Sequence, residues 1–103
     1  MIKVYGSYKC KDCLEAFEVF AHYQIEYEFT EILDSTANLK EFLHLRDSSP
    51  SYDKVKEAGT IGIPTIIDEE GNIWIGWKKY IAHLGLEIIE TNKTSCSITG
   101  EGC

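Results

Sequence analysis

The stretch Ile2-Lys3-Val4-Tyr5-Gly6-Ser7-Tyr8-Lys9-Cys10-Lys11-Asp12-Cys13 decides how the chain is read. Residues 2–5 alternate in the manner of a strand, and Gly6-Ser7 breaks the run. From Lys11 to Tyr23 the apolar positions Cys13, Ala16, Phe17 and Phe20 recur at helical spacing. A strand that ends in a turn and enters a helix carrying Cys-x-x-Cys is a redox arrangement. The first thiol falls at the helix N-terminus, where unpaired backbone N–H groups and the helix dipole favour a thiolate. The second falls one turn on, within reach of a mixed disulfide made by the first. Zinc sites use the same spacing. The histidines His22, His44 and His83 form no ligand pattern with this pair, and structural roles are expected for all three.

A second marker lies at Gly62-Ile63-Pro64-Thr65, which leads into a β-branched run. Residues 25–33 are rich in strand formers. Asp34 or Ser35 caps a helix whose apolar stripe is Leu39, Phe42, Leu43 and the stem of Arg46. Ser48-Ser49-Pro50 stops that helix, and Pro50 suits the first turn of a second segment closed by Gly59. Thr65 to Asp68 and Ile73 to Ile75 flank a turn at 69–72, which predicts a hairpin. Gly76-Trp77 opens a last helix running from about Lys79 to Ile89, with Tyr80, Ile81, Leu84 and Ile88 on one face and Gly85 as a weak point. One of Trp74 and Trp77 is expected in the core, because their spacing does not put both on one face of a strand. The order β-α-β-α-β-β-α predicts one α/β domain over residues 1–90, a four-stranded mixed sheet with helices on both faces. Residues 91–103 are polar and aperiodic, and read as a flexible tail bearing cysteines.

The 103 residues suffice for one domain with one core. Apolar content of 44% and charged content of 26% are ordinary for a water-soluble globular chain. The net charge of −7, with no basic cluster beyond Lys78-Lys79, excludes a nucleic-acid partner from the expectations. No apolar run is long enough to span a bilayer, and the chain opens on a strand rather than a secretory signal. Cytoplasmic localisation and no membrane partner are expected. Four cysteines in a reducing compartment point to catalysis or metal rather than to a disulfide framework.

Cys-x-x-Cys after the first strand and Ile-Pro-Thr before the third, in this order of elements, resemble the glutaredoxin branch of the thioredoxin-like fold, and in particular small bacterial glutaredoxin-related proteins. The resemblance covers about residues 1–90. It implies that Cys10 is the nucleophile and Cys13 the resolving cysteine of a thiol–disulfide oxidoreductase. It implies further that Pro64 is a cis-proline beside the site and that the backbone of Ile63 pairs with the substrate. Lys9, Trp77 and Lys78 join Ile63 and Pro64 as substrate-binding candidates. Lys11 stands where glutaredoxins have proline, and Gly76-Trp77 followed by Lys78-Lys79 replaces a glycine pair and an acidic residue. An aromatic and a basic residue there are similar to glutaredoxin-like redoxins that draw electrons from a flavoprotein reductase. The donor is therefore glutathione or such a reductase. The substrate is a disulfide-bearing protein or a low-molecular-weight disulfide. The chemistry requires no bound cofactor and no metal.

Cys96 and Cys103 lie outside the resemblance. They read as incidental tail thiols or as a second redox pair exchanging with Cys10 and Cys13. The competing function is a metal or iron–sulfur module that uses Cys10, Cys13 and the tail thiols, or Cys10 in a dimer with glutathione.

Overall fold

The computed structural model describes residues 1–88. The cysteine-bearing tail 91–103, with Cys96 and Cys103, lies outside the described residues, as does the expected helix end at Ile89.

Four strands form one mixed sheet in the order β2-β1-β3-β4. They are β1 (Ile2–Gly6), β2 (Tyr27–Glu31), β3 (Thr65–Ile67) and β4 (Ile73–Ile75). β1 and β2 are parallel, joined across helix α1 (Lys11–His22), while β1–β3 and β3–β4 are antiparallel. α2 (Thr36–Ser48), a 3₁₀ turn (Pro50–Tyr52) and α3 (Asp53–Ala58) connect β2 to β3, and α4 (Trp77–His83) follows β4.

Strand alternation divides the interior in two, because successive side chains leave the sheet on opposite faces. Ile2, Val4 and Ile66 pack with Ala16, Val19 and Phe20 of α1 and with Trp77, Tyr80 and Ile81 of α4. Tyr5 faces the other way and packs with Phe42 of α2 and Tyr52 of the 3₁₀ turn, joined by Ile67, Ile73 and Ile75. The register carries this division across the sheet. Phe29, Val4, Ile66 and Trp74 are successive cross-strand partners on the first face, and Tyr5, Thr65 and Ile75 are partners on the second.

Ser35 caps α2 by accepting the Asn38 N–H at 3.1 Å, and Pro50 opens the short segment that Gly59 closes. Two expectations are corrected. The last helix is shorter than its apolar pattern suggested: it ends at His83, and Gly85 takes φ of 78°, a left-handed conformation that only glycine adopts without strain. Leu84 and Ile88 are accordingly exposed rather than on the buried stripe. Arg46 does not simply lay its stem on the stripe. Its guanidinium donates to the carbonyls of Ile61 (3.0 Å) and Thr60 (2.7 Å), pinning the loop that leads to Pro64.

Candidate functional site

The strand register gathers four chain segments at one end of the sheet. Gly6, the last residue of β1, lies opposite Glu31, the last residue of β2. Tyr5 lies opposite Thr65, which begins β3, and Thr65 lies opposite Ile75, which ends β4. The loops leaving Gly6, Glu31 and Ile75, and the loop entering Thr65, therefore open on the same side. Two backbone hydrogen bonds close this end: Ile32 N–H to the Gly6 carbonyl and Gly76 N–H to the Pro64 carbonyl, each at 2.9 Å. Lys9, Cys10, Cys13, Ile63, Pro64, Trp77 and Lys78 all fall in these segments or in the helical turns that follow them.

Cys10 is the N-cap residue of α1, with extended backbone (φ −104°, ψ 124°), and its side chain makes no capping hydrogen bond. Its N–H donates to the Ser7 carbonyl at 3.1 Å, and its carbonyl accepts the Leu14 N–H at 3.1 Å. The thiol is half-buried, whereas Cys13 is 0% exposed; both are free cysteines. Burial drives the Cys13 thiol well above the usual thiol range, and the hydrogen bond with Cys10 and the charges of Cys10 and Asp12 push the same way. Against them, the Ser7 N–H donates to Cys13 Sγ at 3.5 Å, which favours the thiolate.

Gly6 explains how a sulfur fits against the strand end. A Cβ at that position would stand 2.8 Å from Cys13 Sγ, closer than real contacts allow. Gly6 belongs to β1 and does not break it, and its lack of a side chain makes room for the thiol.

The loop between β1 and α1 is held by Glu31. Its carboxylate accepts the Tyr8 N–H at 2.8 Å and the Leu33 N–H at 3.0 Å. Partial desolvation opposes the charge, but these donors and the nearby Lys9 outweigh it and hold the carboxyl below the usual range. The Ser7 hydroxyl oxygen accepts the Lys9 N–H at 3.1 Å. Nothing in the linear sequence joined Glu31 to the cysteine motif; only the β1–β2 register does.

On the other side of the site, the Ile63-Pro64 bond is cis. The Thr65 hydroxyl donates to the Gly62 carbonyl at 2.6 Å, which leaves the Tyr52 hydroxyl, 2.8 Å away, to donate to Thr65. Tyr52 is 0% exposed, so the segment between α2 and β3 anchors this turn from within the core. In the sequence Tyr52 lies in a polar stretch that gives no sign of this role, and Arg46 reads only as an apolar stem.

Trp77 is a core residue, 4% exposed, while Trp74 is half-buried and donates its indole N–H to Asp68 at 3.0 Å. Lys78 is exposed, its ammonium 5.6 Å from the centre of the Trp77 ring. Lys9 is exposed as well. Among the described residues, no group of three or more His, Cys, Asp and Glu side chains is arranged to hold a metal ion. Among them, too, no helix is long and apolar enough to cross a membrane.

Comparison with known proteins is sparse. A stretch of 55 residues is 38% identical to an uncharacterized protein of Haemophilus influenzae. It covers 53% of this chain and 64% of that relative. No family model matches the chain, and no solved structure matches it.

Proposed function

We propose that the chain is a thiol–disulfide oxidoreductase with a thioredoxin-like fold of the glutaredoxin type, acting in a reducing compartment such as the cytoplasm. The observation that carries this reading is the asymmetry of the two thiols. Cys10 is accessible at the N-cap of α1, and Cys13 is buried one turn on, at the sheet end that also holds Pro64.

The chemistry follows from that asymmetry. The Cys10 thiolate attacks one sulfur of a substrate disulfide. A Cys10–substrate disulfide forms, and the other substrate sulfur leaves as a thiolate that takes up a proton. Cys13 then gives up its proton and attacks the Cys10 sulfur. The Cys10–Cys13 disulfide forms and the second substrate thiolate departs. Two electrons and two protons have passed to the substrate. Burial keeps Cys13 protonated in the resting dithiol, so that it acts second. Two molecules of glutathione, or a flavoprotein reductase, return the pair to the dithiol.

The basic side chains of Lys9 and Lys78 flank this end of the sheet in a protein that is acidic as a whole. They suit a substrate or donor carrying carboxylates. The test is a coupled assay on a low-molecular-weight disulfide. One arm uses glutathione with glutathione reductase and the other thioredoxin reductase, both following NADPH. Turnover in either arm that is lost in Cys10→Ser supports the reading and names the donor. No turnover in both arms overturns it.

A further inference from the structure

We propose that Glu31 is a positioning residue for the Cys10–Cys13 pair: its carboxylate holds the Ser7–Tyr8 peptide, and Ser7 in turn holds both cysteines. The inference rests on the dithiol reading above and adds the element that sets how readily the dithiol is oxidised.

Every polar group of Ser7 is engaged, in a residue only 1% exposed. Its N–H donates to Cys13 Sγ (3.5 Å), and its carbonyl accepts the Cys10 N–H (3.1 Å). Its hydroxyl accepts the Lys9 N–H (3.1 Å). The Glu31 oxygens take the Tyr8 and Leu33 N–H groups. One carboxylate at the end of β2 thus fixes the Ser7–Tyr8 peptide of the loop that feeds α1. The backbone donor aimed at Cys13 has no freedom to drift. The parallel register that sets Glu31 opposite Gly6 supplies the geometry.

An N–H directed at a sulfur stabilises a thiol or thiolate more than a disulfide sulfur, which is the poorer acceptor. A held Ser7 therefore favours the reduced pair. The equilibrium in question is Cys10–Cys13 disulfide plus two glutathione molecules giving the dithiol plus glutathione disulfide. Releasing Ser7 shifts it toward the protein disulfide. A direct effect of the Glu31 charge has the opposite sign. Removing a negative charge near the pair stabilises any thiolate and shifts the equilibrium toward the dithiol. The direction of the shift therefore separates positioning from simple electrostatics.

The experiment equilibrates the full chain in glutathione redox buffers and quantifies the Cys10–Cys13 disulfide by alkylation and peptide mapping. Mapping keeps any pairing of Cys96 and Cys103 apart. The variants are Glu31→Gln and Glu31→Ala, with circular dichroism confirming the fold. Glu31→Gln keeps one acceptor oxygen and loses the other, and Glu31→Ala removes both. Both are expected to shift the equilibrium about three- to tenfold toward the disulfide, the range of one ordinary hydrogen bond. Wild-type equilibria in both variants, with only thermal stability lowered, would reduce Glu31 to a loop brace and overturn the proposal. A shift toward the dithiol in either variant overturns it in favour of charge. If the wild-type Cys10 and Cys13 never pair, the dithiol reading itself fails, and the wild-type arm alone reveals it.

Discussion

The backbone N–H of Ser7 points at the sulfur of Cys13 from 3.5 Å, across the end of the first strand. The contact joins the loop that presents the accessible thiol to the thiol that is hidden. It exists only because Gly6 leaves the space that a methyl group would fill.

The two cysteines should differ in reactivity by position alone. Cys10 is half-buried, whereas Cys13 is fully enclosed and its thiol is held protonated by burial. In the reduced protein at neutral pH, iodoacetamide should label Cys10 at least about tenfold faster than Cys13. Mass spectrometry of timed digests reads the two rates. Faster labelling of Cys13 would reverse the assigned roles.

The buried thiol also makes stability depend on pH. Cys13 in the fold holds its proton to a higher pH than a free thiol does. Above a pH of about 8.5 the unfolded chain loses that proton while the folded chain keeps it. Stability conferred by the protonated thiol is thus fully present below that point and falls as pH rises. The slope from this one group is at most about 1.4 kcal/mol per pH unit. Urea midpoints between pH 8 and pH 10 should fall more steeply in wild type than in Cys13→Ala. The phenols of Tyr5, Tyr52 and Tyr80, all buried, and of half-buried Tyr27 are also raised, and begin to contribute only at higher pH. Parallel curves for the two proteins would contradict the assignment.

Much of this arrangement is legible in the sequence because it follows from local rules. The alternation of Ile2, Val4 and Tyr5, the helical spacing of Ala16, Phe17 and Phe20, and the Ser35 cap each depend on near neighbours. What was not legible depends on register. Glu31 meets Tyr8 only because β2 lies parallel to β1 with Glu31 beside Gly6. Tyr52 meets Thr65 only because the 3₁₀ turn folds back under the sheet. The length of α4 departs from its apolar pattern for another reason. Its apolar spacing continues to Ile88, but Gly85 enters the left-handed region and the helix stops before it. Periodicity reports which side chains share a face, and backbone conformation decides where the face ends.

Gly6→Ala should disturb the stability and the site together. The added methyl would sit 2.8 Å from Cys13 Sγ, with the Phe29 ring 3.5 Å away. Overpacking of this kind typically costs about 1–3 kcal/mol. Chemical denaturation reads the loss, and a wild-type midpoint would show that the helix yields freely. Gly71→Ala gives a comparison, because nothing lies within 4 Å of its Cβ; its own cost comes from its φ of 86°.

Asp68 anchors the β3–β4 turn and should titrate abnormally low. The indole N–H of Trp74 is the main cause, and Asn72 and Glu70 donate to the same carboxylate. Its carboxyl is pulled down to about 2. The stability it confers is present above the ordinary carboxylate pKa of about 3.9 and is lost as pH falls through the folded value. The Trp74 indole N–H resonance should therefore hold its position through pH 4 and move only near pH 2. A midpoint near 4 would mean that the indole bond does not persist in solution. Asp68→Asn should abolish the transition.

Trp77 and Lys78 are adjacent in sequence, but their substitutions should act on different properties. Trp77 belongs to the core, so Trp77→Ala opens a cavity and should cost about 3–5 kcal/mol of stability. A loss of activity in that variant would say little about substrate contact. Lys78 is exposed, with its ammonium 5.6 Å from the ring centre, and Lys78→Ala should change stability by no more than about 0.5 kcal/mol. If Lys78 meets a carboxylate of the donor, Lys78→Ala should raise KM for that donor severalfold and leave kcat unchanged. The difference from wild type should shrink as salt is added, because an exposed charge pair is screened over about 10 Å at 0.1 M ionic strength. Lys78→Arg should retain most of the wild-type KM. Equal KM values in wild type and Lys78→Ala at low salt would remove Lys78 from the binding surface and leave Lys9 as the basic group to test.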